Sequence, residues 1–270
     1  MPRTIAIIQA RMGASRLPGK PLLDLGGQPM LQRVVTRTRR ARLLDEVVLA
    51  TTIDPSDDAI EATCRAQGIP IARGSVNDVL DRYYQAARQH SAEVVVRVTA
   101  DCPLIDPALI DATITLVQGP SSPVDFAATR LPPPWPRTYP IGLDVEVCTF
   151  AALARAWKEA DQTYHREHVM PFIYEGVKLG REHIARGISA RDFRIAQLNH
   201  DPDYGALRWT VDTPEDLEVL RRVYARFDGR DDFDWLDVLA LFQREPELGR
   251  INAGVAHKSA FDVDERQEGK

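Results

Sequence analysis

Three largely apolar runs dominate the first hundred residues: TIAIIQA from Thr4, EVVLAT from Glu46 and VVVRVT from Val94. Each has the length of a strand and none alternates strictly with polar residues, so each is expected to be covered on both faces. Between them lie segments with helical spacing. Met30, Leu31, Val34 and Val35 follow Pro29, Asp57 to Gln67 end at Gly68, and a third segment runs from Asn77 to about His90. Strands alternating with helices predict a parallel sheet in an α/β fold, because each crossover helix must return over one face of the sheet. Ligands then lie beyond the carboxyl ends of the strands. That edge carries the loops after Gln9 and after Thr99.

Further along, the pattern predicts a helix from Pro107 to Gln118, a strand at FAATR and an irregular, lid-like stretch at LPPPWPRTYP. LDVEV reads as an alternating strand, Thr149 as the cap of a helix through Trp157, and His165 to Tyr174 as another helix. DFRIAQL and LRWTV read as late strands, followed by helices from Pro214 to about Phe227 and from Trp235 to Gln243. Trp157, Trp209 and Trp235 are expected in the core, and Trp135 in the proline-rich loop either on a ligand or braced at the surface. The expected layout is a single domain over 1–250, with a nucleotide-binding half at 1–120, an acceptor or lid insertion at 121–205 and returning elements at 206–250. A loose tail is expected over 251–270.

Composition narrows the function. With 34 basic and 39 acidic residues and a net charge of −5, the 270-residue chain has no long basic block and makes a poor partner for a nucleic-acid polymer. No apolar run approaches the ~18 residues of a membrane span, and the chain enters its first strand at once without a secretory signal, so a cytoplasmic protein is expected. Cys64, Cys102 and Cys148 are too few and scattered for a disulfide framework or a zinc site.

The loop after the first strand, IIQARMGASRLPGK, concentrates Arg11, Arg16 and Lys20 among Gly13, Ser15 and Gly19. Glycines let backbone N–H groups approach an anion, and the cations supply charge for a polyphosphate. It is neither a Walker loop, since Pro21 stands where a hydroxyl would bind magnesium, nor a G-x-G-x-x-G turn. A solvated basic loop is the plain alternative. Asp101 and Asp212 each follow a strand, so the two carboxylates either converge on one magnesium ion or shape their local turns. Ser75 and Asn77 either meet a base edge or, for Asn77, cap the next helix. Asp144 and Glu146 share one face of their strand, either toward an acceptor or toward solvent. His165 and His168 stand three apart and do not form a zinc-protease pair, whereas the planar fork of Arg166 suits a carboxylate or phosphate.

Taken together, IIQARMGASRLPGKPLLDLGGQPML, VVLATTID, GSVNDVLDRYYQA, VVRVTADCPLIDP, GLDVEV, YHREHVMPFI and WTVDTPEDL closely resemble, in order, the motifs of sugar-nucleotide cytidylyltransferases. That group includes the CMP-Kdo synthetases and acylneuraminate cytidylyltransferases. The branch most resembled is that of spore coat polysaccharide biosynthesis protein F. The resemblance implies a three-layer sandwich with a mostly parallel sheet, of the nucleotide-diphospho-sugar transferase (GT-A-like) type. It also implies a Mg2+-dependent transfer of CMP from CTP, or of another nucleotide from its NTP, to a sugar or sugar acid with release of pyrophosphate. By the same resemblance Arg11, Lys20 and Asp101 are catalytic, and Ala10, Arg11, Gly13, Arg16, Lys20, Ser75, Asn77 and Asp101 bind nucleotide. Asp144, Glu146 and Arg166 meet the acceptor, and Asp101 and Asp212 hold the metal. A homodimer is implied too, without any interface pattern in the sequence. Two other readings stay open: a glycosyltransferase of the same sandwich class using an NDP-sugar, and a non-catalytic nucleotide-binding relative.

Overall fold

Strands and helices alternate through the first half as the apolar runs predict. The computed structural model describes residues 1–119 and 123–256. Its elements begin β1 (Thr4–Gln9), α1 (Met30–Thr38), β2 (Glu46–Thr52), α2 (Asp58–Ala66), β3 (Ile71–Gly74), α3 (Val79–Gln89), β4 (Val94–Thr99) and α4 (Pro107–Gln118). There follow β5 (Phe126–Ala128), β6 (Glu146–Thr149), α5 (Phe150–Glu159), α6 (Thr163–His168), α7 (Pro171–Tyr174), β7 (Ile184–Ile188) and β8 (Arg194–Leu198). The chain returns through α8 (Pro214–Arg226), α9 (Trp235–Arg244) and α10 (Leu248–Ile251).

One eight-stranded sheet, ordered β3-β2-β1-β4-β6-β5-β8-β7, runs through the molecule. β1 to β4 are mutually parallel, β6 is antiparallel to both neighbours, β5 and β8 are parallel, and β7 closes the edge antiparallel. The sheet is covered on both faces, which explains why β1 lacks alternation: Ala6 and Ile8 enter one apolar cluster, Ile5 and Ile7 the other. Burying each of the isoleucines contributes roughly 1.5–3 kcal/mol. After β1 the chain builds β2 and β3 on one side, then crosses to place β4 on the other. The ends of β1 and β4 therefore flank the crevice where open α/β sheets bind ligands. Among the described residues no helix is long and apolar enough to cross a membrane.

Several expectations need correction. LRWTV forms no ladder strand, because its hydrogen bonds go to loops. Trp209 N donates to Ile141 O at 2.7 Å and Val211 N to Asp101 O at 2.9 Å. The alternating strand starts at Glu146, so Asp144 lies just before it. The helix expected over His165 to Tyr174 breaks at Val169, whose φ of 72° is incompatible with its continuation, and restarts at Pro171. β7 was not anticipated: it is an edge strand whose Ile184 and Ile188 face outward. Trp209 and Trp235 are buried, but Trp157 is half-buried with Nε1 donating to Asp81 Oδ1 at 2.8 Å. Trp135 packs edge-on against Tyr174. The loose tail does not begin at 251, since Ile251 closes α10 and the buried Asn252 donates to Arg208 O and Asp216 Oδ1. Residues 257–270, and the expected boundary at 120/121, lie outside the described residues.

Candidate active site

Beyond Gln9 the chain enters a turn that folds on itself, with Met12 O accepting from Ala14 N and Gly19 N, both at 2.9 Å. Gly19 sits at φ +72°, a region glycine enters without a Cβ clash, and it launches the short 3-10 turn Lys20–Leu22. Asp57 anchors the turn from the neighbouring strand. It accepts from Met12 N at 2.7 Å with one oxygen and from Thr51 Oγ1, Thr52 N and Thr52 Oγ1 with the other. Only 1% exposed, its carboxylate is tolerated because its acceptors are used. The sequence places Asp57 merely at a helix start; the Thr-Thr pair ending β2 is the signal that it has donors to satisfy.

Lys20 is the meeting point. Its ammonium lies 2.9 Å from Asp101 Oδ2, 3.0 Å from Asp212 Oδ1 and 2.8 Å from Val211 O. Asp101 arrives at the end of β4. Asp212 is brought there because Val211 N and Thr210 Oγ1 both donate to Asp101 O. Burial works against the charge of Lys20, but the two aspartates outweigh it and its pKa stands above the ordinary lysine value. Burial likewise pushes the Asp101 carboxyl up, and Lys20 with the Thr99 hydroxyl more than offsets this, so the carboxylate stays ionised. The second oxygen of Asp212 meets Arg16 Nη2 at 3.0 Å and Arg208 Nη2 at 2.9 Å. Arg208 also forks onto Asp216, which receives the Asp212 and Thr213 N–H groups as part of the capping box of α8.

Two hollows meet at these aspartates. The larger, a cleft of about 310 Å³, is lined by the cationic turn (Ala10, Arg11, Ser15, Arg16, Lys20), by Val76, Asn77 and Val79, and by Arg82, Glu167 and His168. The smaller, about 170 Å³, is lined by Arg130, Ile141, Asp144, Glu146 and Thr210. Arg97, Thr99, Asp101 and Asp212 belong to both. Arg97 ion-pairs with Glu146 and donates to Gln9 Oε1 at 3.1 Å, while Asp144 is held bidentately by Arg137 at 2.6 and 3.1 Å. Arg97 and Arg208 were not singled out from sequence. The available signal was a lone arginine inside each of two otherwise apolar runs, VVVRVT and LRWTV.

Of the residues expected to bind nucleotide, Ala10, Arg11, Arg16, Lys20, Asn77 and Asp101 line the larger cleft. Gly13 does not line it. Ser75 is a turn residue whose Oγ accepts from Asp78 N at 3.1 Å, and the cap of α3 is Asp78, not Asn77. Asp144 and Glu146 line the smaller hollow together. Arg166 lines neither hollow, because its guanidinium is engaged by Asp78.

A cationic turn, two aspartates and two hollows sharing them form a layout for joining two substrates at a phosphate. A cytidylyltransferase family profile matches residues 5–227. The chain belongs to the cytidylyltransferase family. It is 31% identical over 246 residues, 89% of its length and 94% of the relative's, to the spore coat polysaccharide biosynthesis protein SpsF of Bacillus subtilis. It is 32% identical over 244 residues, 83% of its length and 98% of the other's, to a 3-deoxy-manno-octulosonate cytidylyltransferase of an Anaeromyxobacter species. Among solved structures, a cytidylyltransferase from Leptospira borgpetersenii superposes with a TM-score of 0.82 at 28% identity, covering 95% of this chain and all of the other. As a cytidylyltransferase the chain is a nucleotidyltransferase enzyme.

Proposed function

We propose that this cytidylyltransferase transfers CMP from CTP to a hydroxyl of a sugar or sugar acid, releasing pyrophosphate, to activate it for polysaccharide or glycoconjugate synthesis. The observation that carries this reading is the sharing of Asp101 and Asp212 by both hollows. A nucleotide in the larger and an acceptor in the smaller meet where Lys20 and Arg16 concentrate positive charge. The domain is read as a GT-A-like sandwich, with 1–120 supplying the nucleotide side, 121–205 the acceptor side and 206–250 the returning aspartate.

Attack on the α-phosphorus loads negative charge on the phosphoryl oxygens and on the leaving pyrophosphate. Arg16 and Lys20, held in place by Asp101 and Asp212, and Arg11 on the same turn offset that charge. Asp144 and Glu146 hold acceptor hydroxyls, each oriented by an arginine. The donor set fits a magnesium ion: Asp101 and Asp212 offer hard carboxylate oxygens that already close around one cation, the Lys20 ammonium. When bound, magnesium supplies further neutralisation of the triphosphate. The acceptor's proton has no assigned base among these residues.

Incubating the protein with CTP, Mg2+ and a panel of sugar acids and neutral sugars, while measuring pyrophosphate, tests the reading. CTP-dependent pyrophosphate is expected with at least one acceptor. Consumption of UDP- or GDP-sugars without pyrophosphate would instead favour the glycosyltransferase reading.

A further inference from the structure

The larger cleft has a wall that the catalytic groups do not account for. Arg166, on α6, reaches across to Asp78, at the head of α3. Its Nε lies 3.1 and 3.0 Å from the two carboxylate oxygens, its Nη2 2.5 Å from one of them, and its Nη1 donates to Trp157 O at 2.7 Å. Asp78 in turn fixes the loop between β3 and α3: its side chain caps α3 through Asp81 N at 2.8 Å, and its own N–H donates to Ser75 Oγ. From the other side, Arg82 Nη1 donates to the carbonyls of Ser75 and Val76. The loop starts at Gly74, where a Cβ would stand 2.8 Å from Arg82 Cγ.

What this clamp holds is cleft lining. Val76 and Asn77 lie within the clamped loop, and Glu167 and His168 directly follow Arg166. One ion pair between residues 88 positions apart therefore sets the spacing of two segments that both border the cleft. The triphosphate is drawn to the turn bearing Arg11, Arg16 and Lys20. Val76 and Val79 beside the Asn77 amide offer apolar surface and one hydrogen-bonding edge, which suits the face and rim of a base.

We propose that Arg166 is a positioning residue for the base end of the nucleoside triphosphate, and that the Arg166–Asp78 clamp sets selectivity among nucleotides and not acceptor binding. The proposal rests on the nucleotidyltransferase reading. A planar guanidinium fork fixes distance and angle together, which a lysine cannot do. The pair is partly exposed, with side chains 23% and 30% accessible, so it adds little to folding stability and acts mainly on geometry.

Arg166→Met and Arg166→Lys test it, with CTP and UTP binding followed by calorimetry and KM measured for each substrate. Arg166→Met should weaken CTP binding about tenfold through misplacement of the loop and reduce the CTP-to-UTP preference about threefold. The acceptor KM should stay within about twofold, as for an independent site. Arg166→Lys should fall between this variant and the wild type. A raised acceptor KM with unchanged CTP affinity would place Arg166 on the acceptor and overturn the proposal, and so would wild-type CTP affinity and selectivity in a folded variant. If Arg166→Met does not fold, Arg166→Lys decides alone: weakened CTP binding upholds the clamp and wild-type binding refutes it. Failure of the wild-type protein itself to bind any NTP defeats the nucleotidyltransferase reading and this proposal with it, an outcome distinct from a variant that matches a CTP-binding wild type.

Discussion

The two hollows that share Asp101 and Asp212 are built by different means. In the larger cleft, Ala10, Arg11 and Asp101 sit at the ends of adjacent parallel strands, paired from Thr4↔Val94 through Gln9↔Thr99, so the sheet itself fixes their separation. In the smaller hollow, Arg130, Ile141 and Asp144 come from the stretch between β5 and β6 that contains no helix or strand, and their positions depend on individual contacts. Arg137 holds Asp144, and Gly142, at φ +106°, packs so closely on the 209–210 backbone that a Cβ would lie 2.7 Å from Thr210 N. The lesson is one of separable control: the larger cleft is framed by a rigid ladder, the smaller by a loop held by a few individual contacts, so on the proposed reading each can be altered without the other.

That contrast breaks first if Asp101 is dispensable. Asp101→Asn should lower kcat by about 10²–10³-fold or more with both substrates bound, measured as pyrophosphate release; near-normal turnover would remove Asp101 from the chemistry. Next comes Asp216, fully buried beneath Asp212. Asp216→Asn removes one of the two carboxylates on the Arg208 guanidinium, leaving Asp212, and should cost about 1.5–3 kcal/mol in urea unfolding.

The same variant carries a pH signature. Burial pushes the Asp216 carboxyl up, but Arg208, Asn252 and the Asp212 N–H outweigh it and hold its pKa below the ordinary aspartate value. Its stabilisation is therefore complete above about pH 4 and lost as pH falls through the lower folded value. Asp216→Asn should flatten the acid limb of the Tm profile in that window, and an unchanged limb would show that this carboxylate does not govern acid unfolding.

Gly142→Ala sharpens the comparison from the acceptor side. Strain at a positive φ, together with the close approach to residues 209 and 210, should cost about 1–3 kcal/mol and raise the acceptor KM. CTP affinity should hold, and equal damage to both substrates would erase the proposed separation. The smallest effect is expected from Asp144→Asn, which removes one charged acceptor and should raise the acceptor KM about tenfold with CTP binding intact by calorimetry.

The same division governs what could be read before the structure. TIAIIQA and VVVRVT are legible because strands buried on both faces have no polar alternation, and Asp101 is legible because it follows such a strand. Arg166 is not legible in this way: its residue type suggests an anion but not which one, and in the structure that anion is Asp78, a helix cap far away in the chain. LRWTV has strand composition, yet its N–H groups are spent on Ile141 and Asp101, a use that only tertiary structure decides. β7 escaped because an edge strand with arginine and glycine among its residues carries little periodic signal.

Lys20 has one further consequence. An ammonium owns three N–H bonds, and all three meet partners within the fold, two carboxylates and a peptide oxygen. Its hydrogen-bonding capacity is thus met within the fold. On the reading proposed above, a triphosphate that engages this lysine would have to displace one of those three partners.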